Sequence, residues 1–597
     1  MIVLGISEAH DAHACIMIDG RVVAAVAEER LTKTKCDSRY PRRAIEAVLG
    51  MSGVTPEQID CAAFAANSSQ LWHTIYNKHA RFSVKDWIEE CEIYWKPKLL
   101  DKKDVSPFII ADRFSCYYEN LDGFGHYYDF LLKARDTHPD HWEALGDLAR
   151  QKTISDHLGL PANKVATFRH EDCHKHYGWL TCPFRDEEAI ILTLEGGGDD
   201  SSATASLSKK DCINEIWKSN DVHVGRLYAY MTLLLGMKPG QHEYKVMGLA
   251  PYGNKFVGGE ALEIFRKIHH QCYDTIQNSS PYSDLYFSIK DELEGKRFDG
   301  IAWALQTWTE EILCKWVIGN IRKHGIHNVI LSGGVAQNIK AVKAVADLPE
   351  VRKVWAGPIS GDGSLGIGSA ILATKMLAPD LTVPLFENIY LGTQYDDSDI
   401  LKEVQKQKIH EQFKVKENWT ANELATKICN GSIVARFSGN MEFGQRALGN
   451  RSILADPRKY ETIDKINTQI KNRDFWMPFT PSMTDYFAAS ALKNPKNLDS
   501  PFMTMAFDLA CEMENLQAVM HPADNTVRPQ ILKKYSNPKY YQLLQAVEAQ
   551  IGLACLLNTS FNLHGDPIVE SPYDALRTFK ESKLDLLVFD NIMIERM

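Results

Sequence analysis

The chain has 597 residues, 45% of them hydrophobic and 24% charged, with a formal net charge of −10. That length suits roughly two to four domains with full cores, and an acidic balance with no long basic block argues against a nucleic-acid partner. No uncharged apolar run of about 18 residues occurs, so no apolar membrane-spanning helix is expected. The opening residues lack a basic stretch followed by a long apolar run. The 13 cysteines are scattered, with no Cys-x-x-Cys pair. The expectation is a cytoplasmic protein with reduced thiols.

In chain order, residues 2–6 (IVLGI) form a short apolar run that predicts a buried strand. Two more apolar runs flank Asp19-Gly20, and both turn positions accept positive φ, which predicts a hairpin. Residues 68–150 are rich in Trp, Tyr, Phe, Lys and Glu with few glycines. They predict an inserted helical subdomain whose aromatics are mainly core. Near residue 190 the opening grammar returns: AIILTLE as a strand, GGGDD as a flexible acidic loop, then SATASL and INEIW as a hairpin. A repeated strand–loop–hairpin unit predicts internal duplication. It fits the duplicated ribonuclease-H-like fold of the actin, sugar-kinase and Hsp70 superfamily (ASKHA). VILSGGVAQNIKAVKAV (329–345) and VRKVWAGPISGDGSLGIGSAIL (351–372) each read as strand, glycine-rich turn, helix. Glycines there let backbone approach a nucleotide, and helix N-termini favour its phosphates. The proline-bearing MLAPDLTVPLFEN (376–388) predicts a linker. The fold expected is α/β throughout, with domains at 1–380 and 381–597.

His170-Glu171-Asp172-Cys173-His174 spells H-E-x-x-H, the pattern of zinc proteases. Histidines four apart on a helix share one face and can hold one metal ion. In a chain with 20 histidines such a pair is weak evidence by itself. A protease needs a third ligand and Glu171 as general base. No H-x-x-G-x-x-H extension follows, and His176 is too close to continue one. The segment lies between two glycine-rich units, so the favoured reading is a metal pair beside a nucleotide. Asp362 of the SGDGS loop is the candidate third ligand, and two imidazoles with a carboxylate suit Fe(II), Zn(II) or Mn(II).

These segments resemble one family over nearly the whole chain: the ATP-dependent O-carbamoyltransferases of the nodulation, cephalosporin and tobramycin type (NodU/CmcH/TobZ). HDAHACIMIDGRVVAAVAEERLTKTK resembles the family's opening. HEDCHKHYGWLTCPF resembles its metal-histidine segment, with Glu171 replacing the second of two adjacent histidines. The protease pattern is then an accident of that replacement. EYKVMGLAPYG (243–253), LSGGVAQN (331–338), SGDGSLGIGSA, MEFGQRALGNRSILADPR (441–458), KNRDFWMPFTPSM (471–483), TVRPQ (526–530) and NTSFNLHGDPIVESPYDAL (558–576) are further blocks in family order. Three positions depart from the pattern. Glu195 stands where Asp is common, Gln445 where Pro is common, and Met477 where Arg is common. The last removes a candidate phosphate contact.

The resemblance implies two chemical stages. A YrdC/Sua5-like α/β C-terminal domain would make carbamoyl-adenylate from carbamoyl phosphate and Mg-ATP, releasing phosphate and pyrophosphate. A Kae1-like N-terminal domain would pass the carbamoyl group to a hydroxyl of a small-molecule natural product (an antibiotic, sugar or alkaloid toxin precursor), and AMP would leave. The cofactors implied are ATP, Mg2+ and one divalent transition metal, Fe2+ ahead of Zn2+ or Mn2+. No nucleic-acid or membrane partner is implied, and a homodimer is the assembly considered.

Residue types fit this scheme. Arg446, Arg451, Arg458, Lys471 and Arg473 fall within 28 residues, among apolar neighbours. Arginine forks bind phosphate oxygens in pairs. Arg528, Asn558, Thr559, Ser560 and Asn562 are expected to complete the carbamoyl phosphate/ATP pocket. In the N-terminal site His10 is the candidate general base or carbamoyl-orienting group, assisted by Asp11. Lys35 and Lys245 are candidate phosphate contacts. Glu195, Gly196, Gly197, Gly198, Gly333, Gly334, Asn338 and Gly361 are expected to line the nucleotide, and His170, His174 and Asp362 to hold the metal. A transfer RNA threonylcarbamoyl transferase would share that metal site, but the chain is acidic and its C-terminal blocks belong to the small-molecule family. A nucleotide-binding regulator would not need the intact metal set and arginine cluster. The acceptor is not legible in the sequence, and the aromatic insert is a candidate acceptor wall.

Overall fold

In the computed structural model β1 (Ile2–Ser7), β2 (His13–Ile18) and β3 (Arg21–Ala27) form an antiparallel meander. Its tight turn is at Asp19 (φ 47°) and Gly20 (φ 77°), the positive pair that a two-residue hairpin requires. The structure describes the chain except Ala9, residues 67–74, residue 76, residues 118–124, residues 511–513 and residue 597. It divides into two units, Met1–Phe386 and Glu387–Met597.

The first unit contains two sheets of the same design. β4 (Cys61–Ala65) and β5 (Val165–Phe168) extend the meander in parallel from β1, giving the order β3-β2-β1-β4-β5. β6 (Ala189–Leu194), β7 (Ala203–Lys209) and β8 (Cys212–Ser219) form a second meander. After a separate hairpin of β9 (His269–Cys272) and β10 (Thr275–Asn278), β11 (Asn328–Ser332) and β12 (Lys353–Ala356) join β6 in parallel. The resulting order, β12-β11-β6-β7-β8, repeats that of the first sheet. The strand–loop–hairpin grammar of the sequence therefore appears twice. β6 and β11 are buried along their whole length, as parallel strands covered on both faces must be.

Between β4 and β5 the described residues are mainly helical and contain no strand, with helices from Val84–Glu90 to Trp142–Leu158. Part of the expected insert, residues 68–74, 76 and 118–124, lies outside the described residues. The insert is tied to the end of β1 by a buried ion pair. Arg150 Nε donates to Glu8 Oε1 (2.6 Å), and the Tyr127 hydroxyl donates to the other Glu8 oxygen. Arg150 also donates to the Ala65 and Ala66 carbonyls, so its buried charge is satisfied on all sides.

The helix Leu365–Leu377 packs on β1, on β4 and on the helix His170–Thr181. Glycines make this approach feasible. A Cβ on Gly5 would lie 2.0 Å from the Gly366 carbonyl oxygen, and one on Gly368 would lie 2.2 Å from that of Cys173. Among the described residues no helix is long and apolar enough to cross a membrane.

The second unit is built on one mixed sheet. Its strands in sequence are β13 (Phe413–Glu417), β14 (Val434–Phe437), β15 (Arg451–Ala455), β16 (Thr480–Thr484), β19 (Gln530–Leu532), β20 (Cys555–Ser560), β21 (Leu586–Val588) and β22 (Ile592–Arg596), while β17 (Phe507–Asp508) and β18 (Thr526–Val527) form a separate ribbon. The order across the sheet is β13-β22-β21-β14-β15-β20-β16-β19. The helices Ala421–Cys429 and Pro538–Ile551 bury Leu424, Ile428, Leu544 and Val547 against Val434, Leu454 and Leu556.

Candidate metal and anion sites

The helix His170–Thr181 starts immediately after β5 and presents His170 and His174 on one face, their Nε2 atoms 3.1 Å apart. Asp362, from the turn after β12, brings Oδ1 to 3.6 Å from His170 Nε2 and 3.5 Å from His174 Nε2. Glu195, at the end of β6, places Oε1 2.8 Å from His174 Nε2. The four donor atoms all lie within 4.8 Å of one another. Glu195 was expected in the nucleotide lining, and the fold also brings it to the two histidines. Its carboxylate accepts from the Gly334 amide (2.5 Å), and Gly333 (φ 91°) turns tightly around it.

The electrostatics follow from this crowding. Burial disfavours a charged His174 ring, but Glu195 and Asp362 outweigh it and push its pKa up to about 10. Burial likewise disfavours Asp362 as a carboxylate, yet His170, then His174 and His10, hold it well below the usual range. Two carboxylates pressing on two imidazoles are a donor set that fits a divalent transition metal. Glu171 has a different task. It is buried, and Oε1 accepts from the amides of Ser201 (3.0 Å) and Asp200 (3.3 Å), anchoring the loop after β6.

His10 is exposed, and its charge acts on both Asp362 and Glu243. Asp11 adopts a left-handed conformation (φ 58°), and its carboxylate lies near Glu29 and the Cys36 thiol. Beneath this loop His13 is fully buried. The Gly366 amide donates to His13 Nε2 (2.9 Å), which leaves Nδ1–H to donate to the Asp11 carbonyl (2.8 Å). Burial pushes the His13 pKa down to about 4, so the ring is a neutral strut between the His10–Asp11 loop and the helix Leu365–Leu377. Sequence reasoning passed over it, because a lone histidine on a strand carries no signal. Lys35 lies on the same side, near Cys36 and Lys238. Lys245 is in the helix Glu243–Leu249.

The glycine-rich segments divide. Gly196 and Gly197 lie under Arg226, while Gly198 is packed against Glu171 and Ser201. Gly361 is packed against Gln337. Asn338 caps the helix Ile339–Asp347 through its side-chain oxygen and is paired with Gln306.

In the second unit the expected basic residues also divide. Arg451 is buried, lies over the Phe437 ring, and spends its Nη groups on the carbonyls of Thr393, Ser438, Gly439 and Asn450. Arg458 is paired with Asp456 (2.6 Å). Lys471 Nζ donates to Ser560 and Asn562, joining those two residues (2.5 Å to the Ser560 carbonyl, 2.6 Å to Asn562 Oδ1). Arg473 donates to the Thr559 hydroxyl (3.0 Å). Asn558 is buried and donates to Ala447 and Ser482. Arg528 differs from these. Burial, then the charges of Arg446 and Arg473, push its guanidinium well below its ordinary pKa, and its Nε is buried without a hydrogen-bond partner. Arg446, Arg473 and Arg528 thus crowd together. Glu442, which the sequence did not flag, fixes the segment carrying Arg446: its Oε1 accepts from the amides of Leu448 (2.7 Å), Asn450 (2.8 Å) and Arg451 (3.3 Å). Gln445 is exposed and Met477 half-buried.

Comparison with known proteins bears on this arrangement. The family models described as Carbamoyltransferase N-terminus and Carbamoyltransferase C-terminus match residues 2–371 and 425–596. An uncharacterized protein of Methanocaldococcus jannaschii is 30% identical over 85% of this chain and 99% of its own length. Nodulation protein NolNO of Sinorhizobium fredii is 27% identical over 98% of this chain and 79% of its own. The 3'-hydroxymethylcephem-O-carbamoyltransferase of Amycolatopsis lactamdurans is 29% identical over 41% and 44%. Among solved structures, full-length HypF in its phosphate- and nucleotide-bound form covers 39% of this chain and 46% of its own at 15% identity, with a TM-score of 0.27, too loose an overlap to carry a fold argument. The two family matches together span most of both units, and on them the chain belongs to the carbamoyltransferase family and is a carbamoyltransferase.

Proposed function

We propose that the chain is an ATP-dependent O-carbamoyltransferase that forms carbamoyl-adenylate from carbamoyl phosphate and Mg-ATP in residues 381–597. In residues 1–380 it transfers the carbamoyl group to a hydroxyl of a small-molecule natural product. The repeated strand order of the first unit supports a duplicated ribonuclease-H-like (Kae1-like) reading, with the second unit as its YrdC/Sua5-like partner. The observation that carries the proposal is the crowding of Arg446, Arg473 and Arg528. A buried guanidinium set against two further arginines is stabilised by a phosphate dianion, which supplies both the counter-charge and acceptors for their N–H groups. Lys471 fixes Ser560 and Asn562 beside Thr559, the hydroxyl that Arg473 already holds.

In the transfer stage the acceptor oxygen bonds to the carbamoyl carbon, the bond from that carbon to the adenylate oxygen breaks, and AMP leaves with the electron pair. His10, which lies near Asp362 and Glu243, takes the hydroxyl proton. The His13 strut fixes the Asp11 carbonyl and with it the loop that carries His10. His170, His174, Asp362 and Glu195 would hold a divalent metal, Fe2+ ahead of Zn2+ or Mn2+, which when bound supplies a Lewis-acid charge for phosphate oxygens.

The test needs no acceptor. Purified protein with Mg-ATP and carbamoyl phosphate is expected to release pyrophosphate only when both substrates are present. Arg528→Ala should lower that rate by ~100-fold or more, as loss of charge-assisted phosphate contacts does. Arg458→Ala, whose partner is Asp456, should stay close to wild type. Absence of carbamoyl-phosphate-dependent pyrophosphate from metal-replete protein would refute the adenylation stage.

A further inference from the structure

Arg226 stands in the first turn of the helix Val224–Leu234, and its guanidinium lies across the glycine-rich loop after β6. Nε donates to the Gly196 carbonyl (3.2 Å), and a Cβ on Gly197 would sit 3.1 Å from Nη2. The helix start is pressed onto the same loop: a Cβ on Gly225 would lie 2.6 Å from the Gly196 nitrogen. A side chain at Gly197 would press on the guanidinium, and one at Gly225 would push the helix off the loop.

The side chain of Arg226 is exposed, and among the described residues no carboxylate stands within ion-pair distance of it. The acids of the neighbouring loop are engaged elsewhere. Asp199 accepts from the His170 amide, Asp200 pairs with Arg169 and Lys218, and Glu195 faces His174 and the Gly334 amide. An arginine without a counter-ion is thus held at a helix N-terminus, over a loop stripped of side chains. The metal-type donor cluster begins one residue away, at Glu195. A positive helix end and a planar N–H fork both favour a phosphate monoester.

We infer that Arg226 holds the phosphate of the adenylate over the Gly196–Gly198 loop, making it the cation on which the leaving AMP accumulates charge. The inference rests on the two-stage reading for its ligand. It goes beyond that reading by naming the residue and by stating that this loop recognises the phosphate rather than the nucleoside.

The experiment compares AMP with adenosine. Binding of each is measured by titration calorimetry on Arg528→Ala protein, in which the phosphate pocket of the second unit is disabled, with and without Arg226→Ala. The expected result is a loss of AMP affinity of roughly 10- to 100-fold, the worth of a charge-assisted contact, with adenosine affinity unchanged and partial recovery of AMP in Arg226→Lys. A parallel fall in AMP and adenosine affinity would mean that Arg226 only shapes the loop, and would overturn the inference. Unchanged AMP affinity, or no AMP binding while Arg226 is present, would overturn it too. The parent reading is judged apart from this, by pyrophosphate release from the wild-type protein. If that release is absent while AMP binding still depends on Arg226, the phosphate site stands and the carbamoyl donor chemistry does not.

Discussion

Glu171 occupies the place of a protease base in H-E-x-x-H, but its geometry is that of an anchor. It is 1% exposed and holds the amides of Asp200 and Ser201. Glu171→Ala removes a buried acceptor and strands those donors, a cost of about 1–3 kcal/mol. The expected outcome is a lower unfolding midpoint with metal content, read by elemental mass spectrometry, unchanged. His174→Ala should lose the metal. Equal metal loss in both variants would show Glu171 to be a ligand after all. The arginines give the complementary lesson. Arg451 and Arg528 are both expected at the phosphate site from sequence. The first is consumed by backbone carbonyls, and the second is held against two like charges. Residue type announced a phosphate site in that stretch, but which arginines face it depends on strand register and on Glu442, neither of which the motif displays.

At the scale of elements, the helix Leu365–Leu377 organises the first unit. The segment SGDGSLGIGSA was read as glycines admitting a nucleotide. Gly366 and Gly368 instead admit protein: the first lies against His13 and β1, the second against the backbone of Cys173, between His170 and His174. A sequence shows that a glycine is needed, not which neighbour needs it. Gly368→Ala would put a methyl 2.2 Å from the Cys173 carbonyl oxygen, so one of the two helices must move. Overpacking of this kind costs about 1–3 kcal/mol. Here it should also lower metal affinity, because the displaced helix carries both histidines. A variant that is destabilised yet titrates metal like wild type would break the link between this packing and the site.

At the scale of the molecule, acid lability is built into the first unit. Burial pushes His13, His223 and His269 each down to about 4. Unfolded, each returns to its ordinary value of 6.5. Between these values the unfolded chain binds protons that the folded one does not. The contribution of these three histidines is therefore full above pH 6.5 and falls as the pH drops toward 4, by up to about 3 kcal/mol for His13 alone. Urea midpoints measured from pH 7 down to pH 4.5 should decline steadily, and a flat profile would contradict the neutral strut. The duplicated strand–loop–hairpin pattern and the histidine pair were legible from local periodicity. The strut, the approach of Glu195 to His174 and the placement of Arg226 were not, since each depends on contacts between distant segments.

The long reach of those contacts has a consequence during synthesis. The hydrogen bonds joining β2 to the helix Leu365–Leu377, from Cys15 to the Gly366 carbonyl and from the Gly366 amide to His13, span 351 and 353 residues. Every strand of the first sheet therefore leaves the ribosome long before the helix that covers it. The face of β1 and β4 that this helix covers, the side of Gly5 and hence of Val3, Ala63 and Ala65, all buried in the finished protein, has to wait uncovered through translation of the second sheet. A nascent chain halted before residue 365 would present that face to solvent, and would be a natural client for a holding chaperone.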